Sequence, residues 1–171
     1  ARADTQADAP LSLYTHIPFC KSLCHYCGCN VIVSRDSTRA DRYLDALERE
    51  LGLLAAHLPN RRALGQIHWG GGTPTFLTVP QIDRLWGAIT RHFSVREGAE
   101  IALEINPNTT SPQQLEALAG HGFNRLSMGV QDFDDRVQAA IGRIQSAEHT
   151  RTTLERARAL GFTGVNFDLI Y

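Results

Sequence analysis

The chain has 171 residues, 43% hydrophobic and 20% charged, which is enough length and apolar content to bury a sizeable core and excludes a disordered tail or a disulfide-stapled miniprotein. Seventeen basic against eighteen acidic residues leave a formal charge of -1, so no long-range field draws the chain to nucleic acid or to an anionic membrane. No apolar run approaches the roughly 20 residues of a membrane helix.

Residues 1–10 carry two Asp, one Arg and no apolar core. They read as a flexible lead-in without the pattern of a secretory signal. From residue 11 to 171 the chain reads as one domain, or part of one. Five short β-branched or apolar segments, Leu11 to Ile17, Gln66 to Trp69, Glu100 to Ile105, Arg125 to Val130 and Val165 to Ile170, alternate with helical stretches. That alternation predicts a parallel α/β sheet.

The first helix is expected from about Arg39 to His57, with Thr38 as its cap and Leu44, Leu47, Leu51 and Leu54 turned to the sheet. A second begins near Thr78 with Pro80 in its first turn and carries Ile82, Leu85, Trp86, Ile89 and Phe93 on one side. The third starts at Ser111, where Ser-Pro-Gln-Gln combines a cap, a first-turn proline and a glutamine placed for a capping box. Helices around Asp134 to Ile141 and Ala147 to Leu160 complete the pattern.

All four cysteines lie within ten positions, at Cys20, Cys24, Cys27 and Cys29. Disulfides inside so short a stretch would close loops of a few residues and stabilise little, so a reducing cytoplasm and metal ligation are the expectation. Three thiolates directly after a strand stand where parallel α/β folds build their sites. Spacing alone leaves iron-sulfur, zinc and free thiols open, although the single residue between Cys27 and Cys29 is tighter than zinc sites favour.

Tyr14-Thr-His16-Ile-Pro-Phe-Cys20-x-x-x-Cys24-x-Tyr26-Cys27-Gly-Cys29-Asn30 resembles the radical S-adenosylmethionine (SAM) superfamily, and within it the oxygen-independent coproporphyrinogen III oxidase (coproporphyrinogen dehydrogenase) family. The likeness continues through His68-Trp-Gly-Gly-Gly-Thr-Pro-Thr75, Glu104-Ile-Asn-Pro107, the segment from Gly122 to Phe133, and Asn166-Phe-Asp-Leu-Ile-Tyr171. It implies a partial parallel (β/α) barrel of the radical SAM type, truncated after the fifth strand, so that 11–171 is a radical SAM core domain incomplete at its C-terminal end.

The same resemblance implies that Cys20, Cys24 and Cys27 hold a [4Fe-4S] cluster whose fourth iron binds SAM, while Cys29 marks the subgroup without ligating. It assigns SAM contacts to Tyr14, Tyr26, Gly71, Gly72, Thr73, Glu104, Gln131, Arg143 and Asp168, with two SAM molecules side by side. The chemistry has a residue-level logic: carboxylates accept from ammonium or ribose hydroxyls, Gln bridges donors and acceptors, and Arg holds a carboxylate bidentately. Glycines let a backbone approach a ligand that a Cβ would exclude. His16 and His25 read as hydrogen-bonded structural histidines, and His68 as packed in a strand.

The implied activity is haem biosynthetic. A deoxyadenosyl radical removes a β-hydrogen from a propionate of coproporphyrinogen III, and loss of carbon dioxide and one electron leaves a vinyl group. Two such events give protoporphyrinogen IX. An electron donor such as flavodoxin or ferredoxin, a cytoplasmic location and a monomeric state are expected, and 171 residues alone are expected to be poorly soluble or inactive. The rivals are a related haem chaperone, which usually has Phe where Cys29 stands, and a zinc-stabilised scaffold. Two departures from the family are Asn106, where Asp is commoner, and Gly142, often Asn.

Overall fold

A computed structural model describes residues 9–171. The lead-in expected over residues 1–10 therefore lies mostly outside the described residues; Ala9 already accepts a hydrogen bond from Arg61 Nε at 3.3 Å. The elements run β1 (Leu11–Ile17), β2 (Phe19–Cys20), β3 (Ile32–Val33), α1 (Arg39–His57), β4 (Ala63–Gly71), α2 (Val79–His92), β5 (Ser94–Ile105), α3 (Pro112–Gly120), β6 (Arg125–Gln131), α4 (Asp135–Ile141), α5 (Ala147–Ala159) and β7 (Gly164–Leu169).

Five strands form one sheet in the order β1-β4-β5-β6-β7, every neighbouring pair parallel. Strands added in chain order, each reached through helices, build a partial (β/α) barrel, as expected. All carboxyl ends then fall on one side, where the connecting loops meet. Ile17, Ile67, Trp69, Leu103, Leu126 and Met128 are buried along the strands, and Leu44, Leu51, Ile82, Leu85, Ile89 and Leu118 cover them from the helices.

Three expectations are corrected. Thr38 does not cap α1 through its side chain; instead the Asp36 carboxylate accepts from the Thr38 amide at 2.9 Å and its hydroxyl at 2.7 Å, so the helix is entered through an Asx turn. These bonds hold the Asp36 carboxyl below its ordinary value. Leu54 is 43% exposed, because the face α1 buries runs through Ala40, Leu44, Leu51 and Ala55. The spacing of four leucines marked a neighbouring stripe. Finally, β4 and β5 are longer than their apolar segments: β4 continues through Gly70 and Gly71, and β5 begins at Ser94 and passes Gly98 at φ +73°.

The α3 capping box forms as expected. Ser111 Oγ accepts from the Gln114 amide at 3.2 Å and Gln114 Oε1 from the Ser111 amide at 2.7 Å. The other end of the Gln114 side chain donates to the Thr75 and Leu77 carbonyls at 2.7 and 2.6 Å, which fixes the segment after β4 that borders the site.

Candidate functional site

The cysteine loop is clamped at both ends and in the middle. Phe19 and Cys20 pair in parallel with Ile32 and Val33, a miniature sheet too short to leave a periodic trace in the sequence. The Ser34 amide donates to the Cys20 carbonyl at 2.9 Å. In the middle, the His25 amide donates to the Ile141 carbonyl, its Nδ1 bonds the Ala140 carbonyl, both at 2.9 Å, and its ring covers Gly142. His25 is thus structural, as expected. Gly142 has φ +69°, a conformation that glycine and asparagine tolerate. His16 is structural too: its Nε2 bonds the Asn30 carbonyl at 3.0 Å, and its own carbonyl accepts from the Tyr43 hydroxyl.

Above the strand ends lies a cleft of about 290 Å³ lined by Cys20, Cys24, Tyr26, Cys27, Cys29, Gly71, Gly72, Thr73, Glu104, Gln131, Arg143 and Asp168 among others. Every residue the sequence singled out for the site lines it except Tyr14. That ring stands outside, stacked on His68 at 5.7 Å between centroids, with its hydroxyl 3.3 Å from His16 Nδ1. Burial raises the Tyr14 phenol, and the Glu104 carboxylate adds to this. Tyr14 therefore lies within electrostatic reach of the cleft wall.

The side chains in the cleft are held from behind. Glu104 Oε2 accepts from the Gly71 amide at 3.0 Å and Oε1 lies 3.4 Å from His68 Nε2. Both Asp168 oxygens accept from Ser127 Oγ, at 3.1 and 3.0 Å. Arg143 Nη2 donates to the Gly129 carbonyl and to Gln145 Oε1. Gln131 has φ +72°, where side chains are rarely found, at a bulge in the pairing of β6 with β7. Bulges and strained residues of this kind re-aim side chains at functional sites.

The glycine run serves the protein first. A Cβ at Gly71, whose φ is +112°, would lie 2.6 Å from the His16 ring, and one at Gly72 would lie 2.8 Å from the Phe19 carbonyl oxygen. Close approach is required here by strand β1 and the cysteine loop, so these glycines are explained before any ligand is added.

The donor set suits a soft metal centre. All four cysteines are free thiols, and Cys20 Sγ lies 3.4 Å from Thr73 Oγ1. Burial pushes the Cys20 thiol up, partly offset by the Thr73 bond, and the neighbouring Cys27 and Cys24 push it further. A cation bound at Cys20 would offset that penalty and favour its thiolate. Among the described residues no three His, Cys, Asp or Glu side chains are grouped as a ready-made metal cage; the loop brings Cys20, Cys24 and Cys27 to one cleft. Beside them, Arg143 Nε is buried without a hydrogen-bond partner among the described residues, a donor suited to an anionic ligand group.

Sequence reasoning passed over His68 as a partner of Glu104, Ser127 as the support of Asp168, and Gly129 and Gln145 around Arg143. Gly129 alone left a signal, a glycine inside a strand pattern, which marks close approach.

The radical SAM superfamily model matches residues 14–171. The chain is 49% identical over 164 residues to the oxygen-independent coproporphyrinogen III oxidase of Escherichia coli (strain K12), covering 96% of this chain and 36% of that protein. It is 42% identical over 172 residues to the enzyme of the same name from Pseudomonas aeruginosa, covering 99% of this chain and 37% of that protein. The solved structure of coproporphyrinogen III oxidase from Escherichia coli, described as a radical SAM enzyme, superposes with a TM-score of 0.94 at 47% identity, covering 99% of this chain and 39% of that one. The chain thus spans little more than a third of the length of these relatives.

Proposed function

The chain belongs to the radical SAM superfamily, and from that premise we propose that it supplies the cofactor-binding part of an oxygen-independent coproporphyrinogen III oxidase, converting two propionates of coproporphyrinogen III to vinyl groups to give protoporphyrinogen IX. The observation that carries this reading is the single cleft that gathers the three thiols with Gly71, Gly72, Thr73, Glu104, Gln131, Arg143 and Asp168. The 49% identity to an enzyme of that name supports the choice of substrate.

In this reading Cys20, Cys24 and Cys27, as thiolates, hold a [4Fe-4S] cluster and leave one iron for SAM. Bound together, these groups supply one-electron cleavage of a carbon-sulfur bond and the radical chemistry that follows. The protein's own residues bind and orient. The amides of Gly71, Gly72 and Thr73 are already given to Glu104, to the Ile17 carbonyl at 2.8 Å and to the Phe19 carbonyl at 2.9 Å. The glycine segment therefore offers acceptors, which match the ammonium of the methionyl group rather than its carboxylate.

The carboxylate falls to Arg143, whose guanidinium can hold it through paired N–H bonds. Glu104 and Asp168, each fixed from behind, accept from the ammonium or the ribose hydroxyls, and Gln131 bridges donors and acceptors. Tyr26 walls the cleft, its phenol raised by burial against the opposing Arg143 charge. Tyr14 contributes from the edge, through His68 and Glu104. Two SAM molecules share the site, and an electron donor of the flavodoxin or ferredoxin class supplies the electron.

The test is anaerobic turnover by the full-length, cluster-reconstituted protein with SAM, a reductant and coproporphyrinogen III. Mass spectrometry of the oxidised products is expected to show loss of two carboxylates. A protein that cleaves SAM yet leaves all propionates intact, or that holds haem stoichiometrically without turnover, would overturn the assignment in favour of a haem-binding relative.

A further inference from the structure

Resting on the reading of the cleft as a SAM site, we propose that Gln145 is a positioning residue that fixes the Arg143 guanidinium at the cleft wall for the cofactor's carboxylate. Arg143 Nη2 donates to Gln145 Oε1 at 3.3 Å and also to the Gly129 carbonyl. A Cβ at Gly129 would lie 3.1 Å from both terminal guanidinium nitrogens. The bare glycine on one side and the Gln145 amide on the other therefore form the seat in which this cation rests.

Gln145 cannot turn away from that task. Gln145 is 3% exposed, and its Nε2 donates to Thr150 Oγ1 at 2.9 Å, which itself donates to the Ser146 carbonyl at 3.1 Å. Its backbone is gripped from α4 by the buried Gln138. The Gln145 amide donates to Gln138 Oε1 at 2.9 Å, and Gln138 Nε2 donates to the carbonyls of Gln145 and Asp132 at 2.7 and 2.9 Å. Both ends of the Gln145 amide are committed, so the orientation of its oxygen toward Arg143 is determined by buried partners on α4 and α5.

The network does not satisfy Arg143 completely. Nε is buried and has no partner among the described residues. A guanidinium held at Nη2, with the Tyr26 phenol beside it and Nε short of an acceptor, is preorganised for an anion, and a carboxylate in the cleft supplies an acceptor in a charge-assisted bond. Gln145 also restricts a long, rotamer-rich arginine that stands on a connecting turn. The end of α4 that leads into this turn is tied to the cysteine loop through His25 on Ala140 and Ile141, so the seat of Arg143 and the thiols are parts of one assembly.

The experiment measures SAM affinity by equilibrium dialysis on the full-length, anaerobically reconstituted protein, with iron content as the control for an intact cluster. Gln145→Met, which keeps the length but removes the acceptor, is expected to weaken SAM binding roughly tenfold at wild-type iron content, and Gln145→Glu, which restores an acceptor oxygen, to stay within about threefold of wild type. Arg143→Gln is expected to weaken binding by itself, and Gln145→Met added to it to cost less than about twofold more, because the two act as one unit. Should Gln145→Met not accumulate as folded protein, Gln145→Asn, one methylene short of Arg143, takes its place with the same expectation.

Wild-type affinity in Gln145→Met, or its full penalty persisting on the Arg143→Gln background, overturns the positioning role while leaving the cofactor reading intact. Wild-type affinity in Arg143→Gln overturns the role of Arg143 and this proposal together.

Discussion

Gly72 faces Phe19 so closely that a β-carbon on it would lie 2.8 Å from the Phe19 carbonyl oxygen and 3.0 Å from that of Ile17. Its amide already donates to Ile17 at 2.8 Å. The end of β4 and the start of the cysteine loop are therefore pressed together, backbone on backbone. Neither partner can swing aside as a long side chain would.

Gly72→Ala is accordingly expected to destabilise the full-length protein by about 1–3 kcal/mol, the usual range for overpacking, and to displace the cysteine loop. Gly87→Ala provides the contrast: a Cβ there meets nothing within 4 Å, and the residue lies inside α2. It is expected to stabilise by about 0.5–1 kcal/mol through helix propensity. Urea denaturation of the two variants beside wild type reads both signs.

The Tyr43 hydroxyl on the His16 carbonyl ties α1 to the entrance of the cysteine loop. Tyr43→Phe is expected to cost about 1 kcal/mol, the ordinary net value of such a bond. Burial raises the Tyr43 phenol above its usual value near 10. A group with a raised folded pKa contributes stability that is complete below its unfolded pKa and is lost as pH rises through the folded one. The gap between wild type and Tyr43→Phe should thus hold from neutral pH to about 9 and shrink above the ordinary tyrosine pKa. Thermal unfolding across that range measures it; a gap that widens with alkaline pH would contradict the assignment.

Gln114 serves α3 with its oxygen and the Thr75 and Leu77 carbonyls with its nitrogen. Gln114→Met keeps the volume and strands three backbone groups, two of them buried behind the cleft. A loss of about 2–4 kcal/mol is expected, since each unsatisfied buried group costs about 1–3 kcal/mol and some find water. Chemical denaturation gives the value, and a change below about 0.5 kcal/mol would show that the amide is dispensable.

Much of this was legible in the sequence, and the reasons are physical. A helix that buries a regular apolar face declares it by period, so α2 lies close to where Ile82, Leu85, Trp86 and Ile89 place it. The Ser111 box was readable because a cap is a local bond between residues three apart. What the sequence leaves hidden depends on tertiary context, whether the partner is near or far along the chain. The β2 and β3 pair holds two residues a side, Thr38 lost its role to an Asx turn two residues upstream, and Leu54 faces outward because only the three-dimensional course of α1 decides which stripe is buried. At the site, residue types and strand ends pointed to the cleft, while the supports did not. Ser127 reaches Asp168 across 41 positions and His68 reaches Glu104 across 36. Gln145 stands two residues from Arg143, yet its hold on that side chain exists only because Gln138 and Thr150 keep its amide in place.

Cys20, Cys24 and Cys27, and not Cys29, are expected to hold the metal centre beside which the cleft residues act. Iron and acid-labile sulfide analysis of the full-length protein purified anaerobically, with each cysteine changed to serine in turn, tests it most directly. Four irons and four sulfides per chain are expected in wild type and in Cys29→Ser, as a [4Fe-4S] cluster requires, with loss of both in Cys20→Ser, Cys24→Ser and Cys27→Ser. Zinc without iron or sulfide, or a centre that fails only when Cys29 is removed, would contradict the account.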